Sequence, residues 1–396
     1  MLQSNGNGHF VTLLPARMND KQQFDIAIIG GGLAGLTLAI QAADVGYRTI
    51  LFEKEAYPFH KVCGEYISME SWDFLVRCGV PLADWSLPLI KELQVSDNEG
   101  KIYDFKLPLG GFGVSRYQLD NALYEIAIKK GVTVLTSCKV TDVIYNEDCF
   151  TILTPATIFT ARITAGCFGK RSNLDLKWNR NFAKKKPNKI NNFIGVKYHI
   201  QYPHPAGKIS LHNFKDGYCG ISRIENDTCC LCYLTTAENL RKSDNSITVM
   251  EKEVLAKNKQ LKKIMEEAKY LYEQPLTISQ ISFEQKSQIE NHILLLGDAA
   301  GMITPLCGNG MSMAMHGGKI AFDNIRLFLA GQINRDQMEK QYKQQWQHQF
   351  GLRTRIGRVV QYFFGGSWST SVFLKAMHTF PRFSGKVIEQ THGKPF

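Results

Sequence analysis

The hydrophobic pattern divides the chain into three kinds of segment. Continuous apolar runs, typical of strands buried on both faces of a parallel sheet, occur at residues 26–29, 47–52 and 293–296. Residues 194–283 alternate between apolar and polar positions and contain turn signals, of which Asp216-Gly217 is the clearest, so they predict an antiparallel sheet. From about residue 336 the pattern is helical, aromatic and basic. The chain is therefore expected to combine a parallel α/β domain, an antiparallel sheet and a helical tail.

Smaller elements follow the same patterns. An alternating segment at residues 93–107, with its turn at 98–100, predicts a hairpin. Residues 117–130 predict a helix, and residues 249–263 predict a second helix that interrupts the antiparallel sheet. The other short strands predicted are residues 132–135, 140–145, 150–153 and 161–165.

A glycine-rich turn follows the first apolar run. Gly30, Gly32 and Gly35 have the G-x-G-x-x-G spacing, in which the glycines allow a tight turn, close approach of a pyrophosphate and close helix packing. A helix that begins at Leu33 and Ala34 would direct free backbone N–H groups and the positive end of its dipole at the phosphates. The turn therefore predicts a dinucleotide site rather than a glycine-rich turn without a ligand.

An acidic residue ends the second apolar run. Glu53 lies 18 residues after Gly35, close to the ~20 residues expected for a carboxylate that holds a ribose hydroxyl. The carboxylate would repel a 2′-phosphate. This site therefore favours FAD or NAD over NADP.

A second glycine-rich segment follows the third apolar run. Asp298, next to Gly297, would face a ribityl or ribose hydroxyl, and the small residues at 299–301 would let a ligand lie close. Pro305 turns the chain before a helix that begins near Gly310. The N-terminus of that helix would stabilise negative charge on the pyrimidine end of a reduced isoalloxazine.

Together these segments resemble those of the FAD-dependent oxidoreductases of the p-hydroxybenzoate hydroxylase superfamily, and most closely its geranylgeranyl reductase and flavin-halogenase-like branch. The glycine motif of that branch is matched by Gly297, Asp298, Ala299, Ala300, Pro305, Gly308, Gly310 and Ala314. Residues 63–68 resemble its Cys-Gly-Glu-x-x-Ser box, and residues 115–123 resemble its Arg-x-x-Leu/Phe-Asp-x-x-Leu helix start. The resemblance covers about residues 24–330.

The resemblance implies an α/β fold with a Rossmann-like FAD-binding domain on a parallel sheet, an antiparallel-sheet substrate domain and a C-terminal helical tail. It implies that Arg116 reaches the cofactor and that Cys63 lies near the flavin ring beside the substrate. The residues expected to contact FAD are Gly30, Gly32, Leu33, Ala34, Gly35, Glu53, Lys54, Cys63, Arg116, Val140, Gly297, Asp298, Pro305, Gly308, Gly310 and Met311.

The domain organisation follows from the patterns and the resemblance. We predict a flexible leader at residues 1–22, an FAD-binding domain in three parts at 23–80, 116–175 and 286–335, a substrate-side hairpin at 81–115, an antiparallel substrate domain at 190–285, and a C-terminal helical cap at 336–396.

One segment departs from the family pattern. The family usually has Ala-Asp-Gly-x-x-Ser at the end of a mid-chain strand, and here Phe168 replaces the aspartate while Gly169, Arg171 and Ser172 are kept. In the hydroxylases of the family that use NAD(P)H, the segment is linked to both cofactors. The electron donor therefore stays open between NAD(P)H and a protein donor.

The composition is that of a globular protein, with 44% hydrophobic residues and a net charge of +11. No apolar run is long enough to span a bilayer and no signal peptide is visible, so we expect a cytoplasmic protein. The cysteines lack disulfide or zinc spacing, so Cys229, Cys230 and Cys232 are expected in a buried strand and no metal site is predicted.

The basic residues cluster at 170–189 and again at 340–358. No nucleic-acid motif accompanies them, so nucleic acid is not an expected partner. The alternatives are a solvated basic face, a carrier protein, or an acidic membrane surface that the C-terminal region contacts peripherally. The aromatic stripe of the tail, at 346–373, fits either core packing or a cap over an apolar substrate.

Cys63, Glu65 and His316 are the candidate catalytic residues, as sources of protons or hydrogen bonds, and His60 is a further possible proton carrier. Tyr218 is expected to face the substrate pocket. The structural alternative for each is a buried side chain.

The preferred function is FAD-dependent reduction of C=C bonds in a hydrophobic small molecule: a prenyl, lipid or polyketide chain. The alternatives are an FAD-dependent monooxygenase that hydroxylates or epoxidises an aromatic or polyketide-like substrate, and a flavin-bound sensor. The Trp-x-Trp-x-Ile-Pro element of halogenases is absent.

Overall fold

The computed structural model describes residues 23–186, 188, 191–364 and 366–396. The predicted leader at residues 1–22 lies outside the described residues. So do the side chains of Tyr362, Phe363 and Trp368, three members of the aromatic stripe predicted for the tail.

The secondary structure alternates strands and helices before it becomes helical. The strands are β1 (Gln23–Ile29), β2 (Thr49–Phe52), β3 (Tyr66–Ser68), β4 (Leu89–Ser96), β5 (Ile102–Gly113), β6 (Thr133–Leu135), β7 (Asp142–Asn146), β8 (Cys149–Leu153), β9 (Ile158–Gly166), β10 (Phe193–Gln201), β11 (Lys208–Phe214), β12 (Gly217–Arg223), β13 (Cys229–Thr236), β14 (Lys269–Tyr270), β15 (Leu276–Ile281), β16 (Ile289–Glu290) and β17 (Ile293–Leu295). The helices are α1 (Leu33–Asp44), α2 (Trp72–Arg77), α3 (Arg116–Lys129), α4 (Asn173–Lys177), α5 (Ala237–Lys242), α6 (Ile247–Glu253), α7 (Lys259–Glu267), α8 (Gly310–Leu329), α9 (Arg335–Phe363), α10 (Ser367–Thr379) and α11 (Pro381–Thr391).

The first sheet has the strand order β16-β17-β9-β1-β2-β6, with the hairpin β7–β8 attached to β9. The central pairs β1–β2, β1–β9, β2–β6 and β9–β17 are parallel. Residues 26–29 of β1 and all residues of β2 and β17 are buried, which is why they appear in the sequence as continuous apolar runs. This sheet confirms the predicted Rossmann-like α/β domain.

The second sheet has the order β14-β10-β13-β12-β11-β4-β5-β3, and β15 also pairs with β10. The hairpin β4–β5 and the turn between β11 and β12 form as predicted. The sheet is not wholly antiparallel, because β11 pairs in parallel with β4. The chain leaves the sheet after β5 and passes through the first sheet before β11, so no hairpin connects these two strands and imposes opposite directions.

The helix predicted at residues 249–263 is broken in the structure. It becomes α6 and α7, separated by a short 3₁₀ turn at Leu255–Lys257. Asn258 causes the restart, because its side-chain oxygen accepts hydrogen bonds from the backbone N–H groups of Gln260 and Leu261 at 2.8 and 3.3 Å.

Three helices form the predicted C-terminal region. Helix α9 packs on α8, and α10 and α11 pack on β5. Among the described residues, no helix combines the length and apolarity needed to cross a bilayer.

Candidate cofactor and active site

The first glycine turn lies at the carboxyl end of β1. Gly30 has a positive φ of 108°, and a Cβ there would overlap the carbonyl group of Cys167 at the end of β9. A Cβ at Gly35 would overlap the carbonyl oxygen of Gly30. Both glycines are therefore required by close packing, and they hold the first turn of α1 against the edge of the sheet.

Gly32 has a different environment. The atoms nearest to a Cβ at this position would be Nη2 of Arg116 and Nζ of Lys61, at 3.8 and 3.9 Å. Two cationic groups thus lie beside Gly32 at the N-terminus of α1. The helix N-terminus and both cations favour the binding of a doubly charged pyrophosphate there.

Asp120 holds the two cations in place. Arg116 contacts it through two hydrogen bonds of 2.7 Å, and Lys61 Nζ lies 3.0 Å from the same carboxylate. Burial opposes ionisation of Asp120, but Arg116 and Lys61 outweigh it and hold the pKa of this carboxyl below its ordinary value. One carboxylate between two cations leaves net positive charge, which suits an anionic ligand.

Glu53 lies at the end of β2, within reach of the same turn. Its carboxylate is buried and accepts hydrogen bonds from the backbone N–H groups of Gly31 and Glu55 at 2.9 and 3.1 Å. The remaining lone pairs can accept ribose hydroxyl groups. Of the other two residues predicted here, Lys54 is exposed and pairs with Glu55, and Val140 is a buried core residue in the loop after β6.

The second glycine segment meets the first in space. A Cβ at Gly297, which has a positive φ of 59°, would lie 3.4 Å from the Cβ atoms of both Ala34 and Ala314. The turn thus connects α1 with α8, and the structure brings together segments that lie more than 250 residues apart in the chain. Asp298 is half-buried at this junction.

A buried lysine supports this turn. Lys286 Nζ donates to the carbonyl oxygens of Asp298 and Lys170 at 2.8 and 3.0 Å. Burial lowers the pKa of Lys286 to about 8, although the charges of Asp298 and Asp175 oppose the shift. The pKa of Lys286 therefore lies close to neutral pH, and its amino group lies beside the predicted cofactor turn.

The loop between β2 and β3, residues 53–65, is called the Cys63 loop, and it lies against the start of α8. Gly308 takes a positive φ of 63° after the turn at Pro305, and a Cβ there would lie 2.9 Å from the ring of Tyr66. Helix α8 begins at Gly310, and the sulfur of Met311 lies 3.5 Å from Cys63 Sγ. The structure thus brings Cys63 to the helix N-terminus expected to face the flavin.

Glu65 belongs to the same loop but points into the protein. Its carboxylate is fully buried and lies 2.5 Å from Lys197 Nζ and 2.6 Å from His199 Nε2. The backbone N–H of Arg116 also donates to it at 2.8 Å. Burial opposes ionisation, but the hydrogen bond from His199 and the charge of Lys197 outweigh it, so the pKa of Glu65 is lowered. Glu65 is therefore an ionised carboxylate at neutral pH.

Cys230 completes this buried group. Ligand atoms of Glu65, His199 and Cys230 lie within 4.8 Å of one another, a spacing that could hold a metal ion. The Lys197 ammonium already neutralises the carboxylate, and the Cys230 thiol donates to the Cys63 carbonyl oxygen at 3.2 Å. We therefore describe the group as an ion pair with hydrogen-bonded neighbours and assign no metal to it.

His316 lies on α8 but faces the C-terminal residues. Its ring stacks on Phe396 at 4.1 Å and meets the edge of Phe350 at 5.4 Å. Burial lowers the pKa of His316 to about 4, with a smaller contribution from the charge of Arg353. The structure does not bring this ring to Cys63 or Glu65, and a catalytic role for it stays a prediction.

An apolar cluster fills the space between the second sheet and helices α10 and α11. Its members include Tyr66, Tyr103, Phe193, Leu211, Tyr218, Ile281, Met302, Leu374, Met377 and Ile388. Tyr218 projects into this cluster from β12, and burial raises its pKa well above the ordinary value. Among the described residues, the buried Tyr66 hydroxyl has no hydrogen-bond partner. Tyr66, three residues after Cys63 in the chain, is part of this cluster. The cluster therefore offers an apolar environment that contains an unpaired tyrosine hydroxyl.

Several residues of the site escaped the sequence analysis. They are Lys61, Lys197, His199, Tyr272 and Lys286. A signal existed for Lys197 and His199, because two basic residues at alternate positions of an otherwise buried strand must share a face and find a partner. Lys61 and Lys286 lie in loops without a periodic pattern, so only the fold reveals their positions.

Comparisons with known proteins agree with this geometry. Residues 25–60 match the family model of an FAD binding domain. Conditioned medium factor receptor 1 of Dictyostelium discoideum is 25% identical over 380 residues, which cover 87% of this chain and 71% of that protein. The solved structure of the flavin-dependent brominase Bmp2 covers 93% of both chains with a TM-score of 0.76 and 19% identity.

A geranylgeranyl bacteriochlorophyll reductase-like protein from Thermoplasma acidophilum has a TM-score of 0.69 and 18% identity, and the similarity covers 86% of this chain and 87% of that one. The matched domain and the fold confirm the expectation of an FAD-dependent flavoenzyme.

Proposed function

We propose that this FAD-dependent enzyme reduces carbon–carbon double bonds in a hydrophobic chain, such as a prenyl, lipid or polyketide chain. The observation that carries the proposal is the position of the Cys63 loop, which lies between the start of α8 and an apolar cluster. Reduction of a double bond needs a hydride on one carbon and a proton on the other. A loop that combines a half-exposed thiol with the buried Glu65 network is suited to the second requirement.

The proposed role of each group of residues follows from its position. A bound FAD would supply the two-electron chemistry. Gly32, Arg116 and Lys61 would hold its pyrophosphate, and Glu53 would hold a ribose. The turn at Asp298 and the N-terminus of α8 would face the flavin end of the cofactor.

The apolar cluster supports a hydrophobic substrate. It presents aromatic and aliphatic side chains from the second sheet and from α10 and α11, and among the described residues the buried hydroxyls of Tyr66 and Tyr103 in it have no hydrogen-bond partner. Such a lining binds an apolar chain by removing it from water and orients it through few polar contacts.

The reaction can be tested with the FAD-loaded protein, reduced by light with EDTA as the electron donor under nitrogen and mixed with geranylgeraniol in detergent micelles. We expect the flavin absorbance to recover and the product to gain two hydrogen atoms for each reduced bond. Glu65→Gln should slow this reaction without loss of bound FAD. Oxygen uptake in proportion to a product that gains an oxygen atom would instead establish the monooxygenase alternative.

The electron donor is open to a direct measurement. Phe168, just after β9, replaces the aspartate that is usual in the family. Its ring packs on that of Trp178, with the ring centroids 5.9 Å apart. We infer that the donor is a protein rather than NAD(P)H. Anaerobic addition of NADH or NADPH should then leave the flavin absorbance unchanged, and rapid bleaching by either would contradict the inference.

We also propose that the outer surface at the junction of α10 and α11 contacts an anionic membrane. Phe380 and Phe383 at this junction are 62% and 45% exposed. Lys375, Arg382 and Lys386 are exposed beside them. Each basic side chain near an anionic bilayer contributes about 1 kcal/mol, and exposed aromatic rings insert at the interface.

The opposite surface of the same helices supports this orientation. Leu374 and Met377 of α10 and Ile388 of α11 are buried in the apolar cluster. An apolar chain that leaves a bilayer at this junction would thus enter the enzyme beside its proposed substrate region.

Sedimentation with vesicles tests the membrane contact. We expect the protein to bind vesicles that contain phosphatidylserine more strongly than vesicles of phosphatidylcholine alone. The variant Phe380→Ser with Phe383→Ser should lose most of this binding, whereas Ile144→Ser, which replaces a 49% exposed residue on β7, should keep it. Equal binding of vesicles by both variants would contradict the proposal. Binding of the protein to a carrier protein and not to vesicles would contradict it as well, and would favour the carrier protein as the partner.

A further inference from the structure

A chain of hydrogen bonds leads from Glu65 toward the surface of the second sheet. His199 Nε2 lies 2.6 Å from Glu65 Oε2, and its other nitrogen, Nδ1, lies 3.1 Å from the Tyr272 hydroxyl. That hydroxyl lies 2.9 Å from Nε2 of His60. Each link has a distance at which a proton can pass along the hydrogen bond.

The outer end of the chain reaches accessible space. Tyr272 and His60 are half-buried, unlike Glu65 and His199, which are buried. Tyr272 also lines a cavity of about 920 Å³ on the far side of β10, together with Tyr198, Glu251, Lys262, Tyr270 and Glu273. This cavity is polar enough to admit water, because charged side chains form part of its wall.

The inner end is held in one orientation. Glu65 Oε1 faces Lys197 Nζ and the Arg116 backbone N–H, so Oε2 is the oxygen that faces His199. Glu65 itself has a positive φ of 55°, a conformation that non-glycine residues seldom adopt. The loop thus accepts a strained backbone at the residue that connects it to the chain of hydrogen bonds.

We propose that His60, Tyr272, His199 and Glu65 form a proton path that leads from the half-exposed His60 ring to Glu65 in the Cys63 loop of the flavin site. The proposal deepens the proposed reductive function and rests on it for its purpose, since a reductase consumes protons. The path itself requires only that reduction of bound FAD takes up protons from water.

The transfer balances without an additional reactant. In the starting state His60 is an imidazolium that has taken up a proton from water. The Tyr272 hydroxyl donates a hydrogen bond to His199 Nδ1, and the Nε2–H of His199 donates a hydrogen bond to the Glu65 carboxylate. Three shifts then occur: His60 Nε2–H to the Tyr272 oxygen, Tyr272 O–H to His199 Nδ1, and His199 Nε2–H to Glu65 Oε2. His60 ends neutral and regains a proton from water, Glu65 becomes a carboxylic acid, and no electron moves.

The charged and titratable neighbours favour a brief stay of the proton at Glu65. The groups that face the path are Cys63 and Lys61 on its own loop, Arg116 and Tyr117 on α3, Lys197 on β10, Cys230 on β13, and Glu225 after β12. Burial, assisted by Lys197 and His199, lowers the pKa of His60. Lys197 likewise favours the ionised form of Glu65, so this carboxyl readily releases the proton that it has received. His199 is then protonated at Nδ1, and a rotation of its ring must place the proton at Nε2 again before the next transfer.

The test follows proton uptake during reduction of the FAD-loaded protein, with electrochemically reduced methyl viologen as a reductant that releases no protons and a pH indicator dye in weak buffer. Tyr272→Phe removes the hydroxyl that connects the two histidines, and His199→Gln removes the inner imidazole. We expect proton uptake to slow about 10-fold or more in both variants and its solvent isotope effect to change. The final number of protons taken up should stay the same, because the path affects the rate and not the equilibrium.

Tyr270→Phe is the matched control, because Tyr270 lines the same cavity but takes no part in the path. This variant should take up protons at the wild-type rate. FAD affinity and the flavin spectrum should be unchanged in all three variants, whereas a merely structural role of Tyr272 would alter them. Proton uptake at the wild-type rate in Tyr272→Phe would overturn the proposal.

A second readout uses the protein without FAD. Nitrogen-15 NMR of the histidine rings should show His199 protonated at Nε2, with a slowly exchanging proton that is lost in Glu65→Gln. A His199 ring protonated only at Nδ1 would contradict the proposed starting state. Neither measurement needs a substrate, so a failure to reduce geranylgeraniol would refute the proposed function and leave the proton path to be judged separately.

Discussion

At the scale of single residues, Gly32 leaves the space that a pyrophosphate requires. Arg116 Nη2 lies 3.8 Å from the position of a Cβ there. In Gly32→Glu, the new carboxylate would fill the space and pair with Arg116 and Lys61, so we expect bound FAD to be lost. The ratio of flavin to protein absorbance measures the effect. Gly351→Glu, in an open position of α9, should retain FAD, and flavin retention in Gly32→Glu would refute the assignment.

The pair Glu65 and Lys197 shows how a buried charge depends on its partner. Glu65→Gln leaves a wholly buried ammonium without its carboxylate, which should lower the free energy of unfolding by about 3–5 kcal/mol. Lys197→Met in the same chain should restore part of that loss, because it removes the unpaired charge. Urea unfolding of both single variants and of the double variant measures the coupling. Additive losses would show that the two side chains do not interact.

His316 allows a test of pH dependence at one residue. Its folded pKa of about 4 lies below the ordinary value of 6.5, so the unfolded state binds the proton more readily. The contribution of the neutral His316 ring to the free energy of unfolding is therefore complete above about pH 6.5, and it is lost as the pH drops toward 4. His316→Phe should reduce this acid-induced loss by roughly 1–2 kcal/mol. Unfolding experiments between these pH values measure it, and loss of turnover in this variant at neutral pH would instead support a catalytic role.

At the scale of elements, helix α9 is attached to the flavin side of the molecule by a buried ion pair. Arg353 of α9 lies 3.5 Å from Glu70, next to β3. Burial raises the pKa of Glu70, while Arg353 opposes the shift, so the carboxyl depends on its partner. Asn309, before α8, donates to the carbonyl oxygen of Thr391 at 2.8 Å and so attaches the end of α11 to the same side.

We expect Arg353→Met to loosen the C-terminal helices, because it leaves the Glu70 carboxyl buried without a cation. Limited proteolysis should cleave the region after α9 several times faster than in the wild type. FAD should stay bound, since its proposed contacts lie elsewhere. Arg355→Met, which replaces an exposed arginine two residues away, should behave as the wild type, and equal cleavage of the two variants would argue against this attachment.

Strand β10 is the element that connects the two halves of the site. Its alternation places Lys197 and His199 on the same face, directed at the Cys63 loop. The adjoining residues Val196 and Tyr198 face the other side, where Tyr198 lines the cavity. This strand thus separates the Cys63 loop from the cavity.

At the scale of the whole molecule, the cofactor site is assembled from segments that are far apart in the chain. The residues that we propose to hold FAD lie near Gly32, Glu53, Arg116 and Gly297, and we expect these segments to be in place before FAD binds. Saturating FAD should therefore stabilise the folded protein, by about 2.7 kcal/mol at 100 times its dissociation constant. A thermal unfolding midpoint that rises with FAD in the wild type but not in Gly32→Glu would confirm this linkage, and no rise in the wild type would contradict it.

The sequence by itself determined the parallel α/β domain, the glycine turns and FAD as the cofactor, because each depends on local features. Continuous apolar runs identify strands buried on both faces, and glycines at fixed spacing identify turns that no other residue can form. Cys63 and Glu65 were proposed as site residues from the resemblance of a short box of residues to a known family, and their catalytic roles stay predictions.

Only the tertiary structure decided which groups surround those residues. Lys61, Lys197, His199 and Lys286 come from loops and from a distant strand, and their meeting depends on the pairing of strands rather than on any local pattern. The parallel pairing of β4 and β11 and the division between α6 and α7 were missed for related reasons. A strand direction depends on the path of the chain between two elements, and a helix end depends on one side chain that competes for backbone N–H groups.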